Sequence, residues 1–386
     1  AGGAMAVLGV TLLATLGASP YLRRWALLRT PDVNDYERLP GRTVPRGAKP
    51  YRFPVAPAAG DWVSPLHLDL AGRPIPNLEA LDAFLAEHGT TAFIVIQDGR
   101  LVSERYFNGF KRDSLFKSFS VSKSVLSALV GIAAVEGRIQ SLDDPVTRYV
   151  PEMQDPAFQR VTLRHCLNGT AGIRYSRGIM PWLSQPRMYY TTDVRTFLLG
   201  STLAAEPGTT FAPEEISPLI LGLILERVLA RPPVVPSLSA FLAERIWIPM
   251  GAEYDAIWNL DHDGDGMEKT ESGFCARAID LAKLAQLYLQ GGRWVDRQLV
   301  PADWVEQSTS KPGADDAPDA WQGGFYENLW WGRDGDAETR PDFYANGHFG
   351  QRLYVSPRKN LVLVRMGERS AGVGWTDFLA EVARSF

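Results

Sequence analysis

The chain has 386 residues, enough for about two to three domains or one large elaborated unit. Hydrophobic residues at 45% and charged residues at 22% exclude a disordered chain, and no Gly-X-Y or heptad period marks a fibre. With 40 basic against 44 acidic residues the net charge is −4, so nothing in the composition supplies the basic excess that a nucleic-acid partner needs. Two cysteines make no disulfide framework, and no Cys-X-X-Cys marks a zinc site.

Residues 1–22 carry no charge, and Arg23, Arg24 and Arg29 follow them. About 20 apolar residues span a bilayer, so three readings stand: a membrane helix over residues 2–22, a signal-peptide core, or a buried helix of the body. The first two place the protein in the cell envelope, anchored or exported, with the membrane side open. Residues 30–65 then hold seven prolines and read as an extended strap. This divides the chain into an apolar segment (1–22), a proline-rich strap (23–74) and a body (75–386).

The body opens with a predicted helix over Asn77–His88, with Leu78, Leu81 and Leu85 on one face. Thr91–Ile96 and Leu101–Phe107 form a hairpin pattern around an Asp98-Gly99 turn. Ser120–Gly137 reads as a buried helix. Residues 138–320 are mainly helical, with clear helices at Leu219–Ala230, Ser239–Trp247 and Ala276–Gln290. Strands return at Phe349–Val355 and Leu361–Met366, and a last helix runs over Trp375–Ser385. The order predicts an α+β fold: one sheet built from both chain ends, with a helical region inserted between them.

The chemistry centres on Ser120-Val-Ser-Lys123. If a helix starts near Ser120, Ser120 and Lys123 share a face, and the helix N-terminus favours developing negative charge at Ser120. A serine hydroxyl becomes a nucleophile when a base takes its proton. A lysine serves as that base only when neutral, which burial against the apolar helix favours. The bland alternative is an N-cap serine beside a solvated lysine. A second stretch, Asn346-Gly-His348-Phe-Gly350-Gln351, precedes the strand from Arg352. There the Gln351 N–H can stand beside that of Ser120 as an oxyanion hole, and His348 can hold a substrate carbonyl or carboxylate. Its bland alternative is a glycine-rich turn.

The chain resembles the serine β-lactamase and penicillin-binding-protein-like family, in particular its esterase and 6-aminohexanoate-dimer hydrolase branch. The resemblance covers roughly residues 75–386. It rests on the hairpin, on Ser120-Val-Ser-Lys123, Leu142-Asp-Asp-Pro-Val and Val161-Thr-Leu-Arg-His-Cys-Leu, then on Pro207-Gly-Thr-Thr-Phe and His348-Phe-Gly350 in that order. It implies a β-lactamase/transpeptidase-like fold and Ser120 as acyl acceptor with Lys123 as its proton partner. It also implies His348, Gly350 and Gln351 as the substrate-binding strand edge, with no metal or other cofactor. Tyr189 and Tyr190 fall where the relatives place substrate-contacting aromatics; loop packing is the alternative.

One departure matters. The family's Tyr-x-Asn or Tyr-x-Ser is replaced by Pro213-Glu214-Glu215. Proline with two glutamates suits a helix start. Alternatively Glu214 or Glu215 substitutes as the base, or pairs with Lys123. Two further patterns are weighed: Asp261–Gly266, read as a polar turn rather than a calcium loop, and Trp330-Trp331, which packs in the sheet or lines an acyl pocket. The expectation is a serine hydrolase of small-molecule esters or linear amides. The alternatives are a non-turnover penicillin-binding or sensor-like relative and an envelope structural protein.

Overall fold

The structure, a computed structural model, describes residues 19–57, 63, 74–312, 324–333 and 340–386. The apolar run that raised the membrane and signal readings lies almost wholly outside these residues. Among the described residues no helix is long and apolar enough to cross a membrane.

The strap is more than a tether. Residues Pro20–Leu28 form a helix (α1) that Ser19 caps, and Gly41–Val44 form a strand (β1). Strand β1 pairs antiparallel with a later strand, Val44 opposite Ala256, and Val44 is fully buried. The expectation of an extended strap over 23–74 is therefore corrected for residues 23–44. Pro20 opens α1 at a position that suits proline, and Pro40 and Pro45 flank β1 without entering it, so the segment still completes a sheet edge.

The body begins as its pattern predicts. Helix α2 (Leu78–Glu87) is capped by Asn77, whose side chain accepts from the Ala80 N–H at 2.9 Å. Strands β2 (Thr90–Gln97) and β3 (Arg100–Tyr106) join through Asp98 and Gly99, both at positive φ. That is the geometry that selects Asp-Gly in a two-residue hairpin. A short strand β4 (Phe116–Lys117) leads into helix α3 (Val121–Val135). Every residue of α3 from Val121 to Ala133 is buried, so it is the central helix of the core.

The inserted region carries helix α4 (Ser184–Tyr190), helix α5 (Ile216–Leu229) and helix α6 (Ala278–Leu289). It also holds strands β5 (Ala256–Asn259) and β6 (Phe274–Ala276), which the helical reading of this region passed over. They are too short for their alternation to stand out. The Ser239–Trp247 helix is α-helical over Leu238–Leu242 and continues as a π-helix over Ala243–Trp247. Strands β1, β5, β6 and β4 form one antiparallel sheet in that order.

The main sheet is completed by β7 (Gly324–Glu327), β8 (Trp330–Arg333), β9 (Phe343–Gly347), β10 (Gln351–Ser356) and β11 (Leu361–Gly367). Its order is β3-β2-β11-β10-β9-β8-β7, antiparallel throughout. The first body strand thus lies against the last, Ile94 opposite Val364, and both chain ends build one sheet. Alternation sorts the residues. Ala92, Ile94, Val362, Val364 and Met366 face the large core with α3, α5 and α6. Phe93, Val95, Leu361 and Leu363 face a second core with α2 and the last helix, α7 (Trp375–Arg384). Each of these side chains larger than alanine contributes about 1.5–3 kcal/mol by leaving water.

Candidate active site

Helix α3 and the end of β9 meet at one place. Gly347 sits so close to the segment before α3 that a Cβ on it would lie 2.4 Å from the Ser118 carbonyl oxygen. Glycine is what permits this approach. It brings His348 beside Phe119, ring centroids 5.6 Å apart, at the residue preceding Ser120. Phe119 and Phe349 both adopt positive φ, 49° and 61°, with their rings 5.4 Å apart. Non-glycine residues in that region are strained and persist where packing over-determines them, commonly at functional sites.

Ser120 occupies the position before the first turn of α3, yet its side chain makes no capping hydrogen bond. Its φ and ψ of −65° and −4° are helical, not the extended values of a capping serine. This removes the bland reading of Ser120 and leaves its hydroxyl uncommitted. Ser120 and Lys123 line the same cavity of about 800 Å³, together with Glu215, His348, Tyr189 and Tyr190. Lys123 is buried, and its Nζ lies 3.8 Å from Glu215 Oε1.

The two glutamates part company. Glu214 turns away from the cavity and caps α5: its carboxylate accepts from the N–H of Ile216 and from the N–H and hydroxyl of Ser217. Glu215 faces Lys123 instead. Of the two candidate bases, the structure leaves only Glu215 at the site. Burial pushes the Glu214 carboxyl up to about 7, against the bonds from Ser217 and Ile216 and the charge of Lys123. The folded chain therefore keeps this proton up to about pH 7, while an unfolded chain releases it near its ordinary 4.5. This group's contribution to stability is complete below the lower value and is lost as pH rises to the upper one, about 3 kcal/mol in all. Glu214→Gln is expected to remove that pH dependence; urea denaturation of both proteins at pH 4 and pH 8 reads it, and equal slopes would refute it.

His348 stands at the cavity rim. Packing around its ring pushes the imidazole below its ordinary value, and Glu215 pulls the other way. Gln351 does not stand where the sequence placed it. Its N–H donates to the His348 carbonyl, closing a 3-10 turn over His348–Gly350, so the expected strand start at Phe349 is a turn. Its side chain holds the Gly367 backbone, with bonds of 2.6 and 2.7 Å. Ser120 precedes the first turn of α3 and His348 opens the 3-10 turn, so neither N–H has an acceptor within its own helix. Gly350 lines the cavity for a packing reason: at φ 81°, a Cβ would meet Arg365 and Trp375 at 2.5 Å.

Tyr189 is committed, its hydroxyl donating to Asp35 Oδ2 at 2.7 Å under Lys117 and Lys269. The buried Tyr190 hydroxyl has no partner among the described residues. Of the tryptophan pair, Trp331 lines the cavity, while Trp330 packs on Tyr288 at 4.3 Å. Asp261 behaves as a turn residue, its carboxylate accepting from the N–H groups of His262, Met267 and Val194. Two phenols went unmarked in the sequence. Tyr175 and Tyr326 lie near Glu215, and burial with that negative charge pushes both hydroxyls up. Neither belongs to a motif, so only the fold brings them here. Arg365 was also missed, although one charge inside Leu361-Val-Leu-Val-Arg365-Met is a visible signal.

Residues 79–376 match the Beta-lactamase family. The chain belongs to that family. A 6-aminohexanoate-dimer hydrolase of Paenarthrobacter ureafaciens is 28% identical over 361 residues, covering 89% of this chain and 84% of the relative. A beta-lactamase of Escherichia coli is 26% identical over 249 residues, 61% of each. Among solved structures, a Bacillus anthracis protein assigned as a 6-aminohexanoate-dimer hydrolase superposes with a TM-score of 0.77 at 23% identity, over 94% of both chains. A class C beta-lactamase superposes at 0.58 and 16%, over 79% of this chain and 93% of its own. These two show the shared fold. The family membership agrees with the α+β, β-lactamase/transpeptidase-like architecture read from the sequence.

Proposed function

We propose that the chain is a serine hydrolase that cleaves carboxylic esters or linear amides through an acyl-enzyme on Ser120. The observation that carries this reading is an uncommitted serine hydroxyl at the mouth of α3, one turn from a buried lysine and open to the cavity. Ser120 Oγ attacks the carbonyl carbon while its proton passes to Lys123. For Lys123 to accept it, the ammonium first yields a proton to Glu215, its 3.8 Å partner. The oxyanion forms between the N–H groups of Ser120 and His348, at the positive end of the helix. Collapse expels the alcohol or amine, which takes the proton. Water then attacks the ester, and Ser120 is restored as the acid leaves. His348 and Tyr190 line the same cavity, which supports a role for them as substrate contacts.

A fluorophosphonate probe followed by peptide mapping tests this: the modified peptide should be the one that holds Ser120. A different labelled residue, or none, would sink the reading.

One observation favours a second reading. A carboxylate, Glu215, stands 3.8 Å from Lys123 where the family's motif supplies a phenol, and the loss of that proton relay slows deacylation most. Such a protein would acylate and hold the adduct, as a penicillin-binding or sensor-like relative. Intact mass after penicillin or fluorophosphonate treatment, followed over time beside an activated ester, separates them. A lasting penicillin adduct without ester turnover supports the second reading; multiple turnovers remove it.

A further inference from the structure

We propose that the mouth of the Ser120 cavity carries a subsite for a carboxylate of the substrate, built by Arg29 and Arg177. The inference rests on the hydrolase reading and names its substrate class: an ester or amide bearing an acid group away from the scissile carbonyl.

The argument is a charge balance around the cavity. Lys123 is met by Glu215 at 3.8 Å. Glu271 is met by Lys269 at 3.4 Å and by the Ser272 hydroxyl at 2.9 Å. Arg352 spends its donors on the carbonyls of Gly347 and Gln351 and on Thr376 Oγ1. That leaves two guanidinium groups on the cavity wall, Arg29 and Arg177. The Arg29 side chain has no acceptor among the described residues. Arg177 gives one N–H to the Pro213 carbonyl at 2.9 Å, and its guanidinium lies 5.9 Å from the Tyr175 ring centre. Neither meets a carboxylate of the described chain. A guanidinium carries five N–H donors, so both retain unused ones directed by a fixed plane.

The placement of Arg29 is built in. It ends α1, and α1 is tied to the cavity-wall loop by its side chains. Trp25 Nε1 donates to the Ile179 carbonyl at 2.9 Å, and the Tyr21 hydroxyl to the Pro181 carbonyl at 2.5 Å. Arg24 reaches the carbonyls of Asp261 and Thr191, at 2.7 and 3.2 Å. Four bonds thus hold an otherwise peripheral helix where its last turn meets the site. Arg29 also lies outside residues 79–376, the part of the chain that matches the family. On a protein of net charge −4, two unpaired cations at a concave mouth concentrate anions there. Planar guanidinium groups favour carboxylates through paired N–H···O bonds.

The experiment compares 4-nitrophenyl acetate with the mono-4-nitrophenyl ester of glutaric acid. Wild type, Arg29→Ala, Arg177→Ala and the double variant are assayed at low and high salt. The expected result is a fall of about tenfold per arginine in the ratio of kcat/KM for the anionic over the neutral ester. The fall should come through KM, and in wild type the ratio should shrink with salt. A ratio unchanged in the double variant would overturn the proposal. Calorimetric binding of glutarate to Ser120→Ala protein, with and without the two arginines, separates the two readings. Arginine-dependent binding without ester turnover in wild type would sink the hydrolase reading and keep the subsite. Glutarate binding indifferent to both arginines would sink the subsite alone.

Discussion

Ser120→Ala is expected to lower turnover of an activated ester by at least about a thousandfold. The size follows from the role proposed for the hydroxyl. Without it no acyl-enzyme forms, and only the cavity and the paired N–H groups remain to assist water. The fold should hardly notice the change. The Ser120 side chain caps nothing, so its removal should alter stability by less than about 0.5 kcal/mol. Loss of activity with an unchanged unfolding transition is the result to look for. Retained turnover in Ser120→Ala would remove Ser120 as the nucleophile, and an unfolded variant would contradict its uncommitted environment.

Arg365→Met should cost more stability than any change at the cavity surface, about 3–5 kcal/mol. The Arg365 side chain is fully buried within β11. Its guanidinium donates to the Phe349 carbonyl at 2.6 Å, to Thr90 Oγ1 at 3.1 Å, and to the carbonyls of His88 and Arg369 at 3.2 and 3.1 Å. It also lies 3.8 Å from the Trp375 ring centre. Methionine keeps much of the volume and none of the donors, so three backbone carbonyls and the Thr90 hydroxyl lose a partner. The Phe349 carbonyl belongs to the turn that presents the His348 N–H. Activity should therefore fall by about tenfold or more, in kcat rather than KM, as the oxyanion geometry loosens. Arg365→Lys should recover part of the stability, since an ammonium restores charge and some donors. Equal urea midpoints for wild type and Arg365→Met would refute this positioning role.

Much of the frame was legible because it rests on local rules. The Asp98-Gly99 hairpin, the Asn77 cap, and the 3.6-residue and two-residue patterns each record a decision made within a few residues. The same locality explains the failures. Strands β5 and β6 are too short to alternate visibly. Glu214 and Glu215 are neighbours in sequence, yet one caps a helix and the other meets Lys123, because adjacent residues at a helix start point in different directions. Gln351 was misplaced because a 3-10 turn stands where a strand was expected, and its N–H is spent on the His348 carbonyl.

The amino-acid sequence by itself determined most elements of the body, the Ser120–Lys123 motif and the family, since these depend on residue types at fixed short spacings. Only the tertiary structure decided which carboxylate faces Lys123, that the Gln351 N–H is spent in a turn, and that Arg29 lines the cavity. The first and last of those depend on contacts between segments far apart in the chain, and no local spacing encodes the direction in which a side chain meets a distant partner.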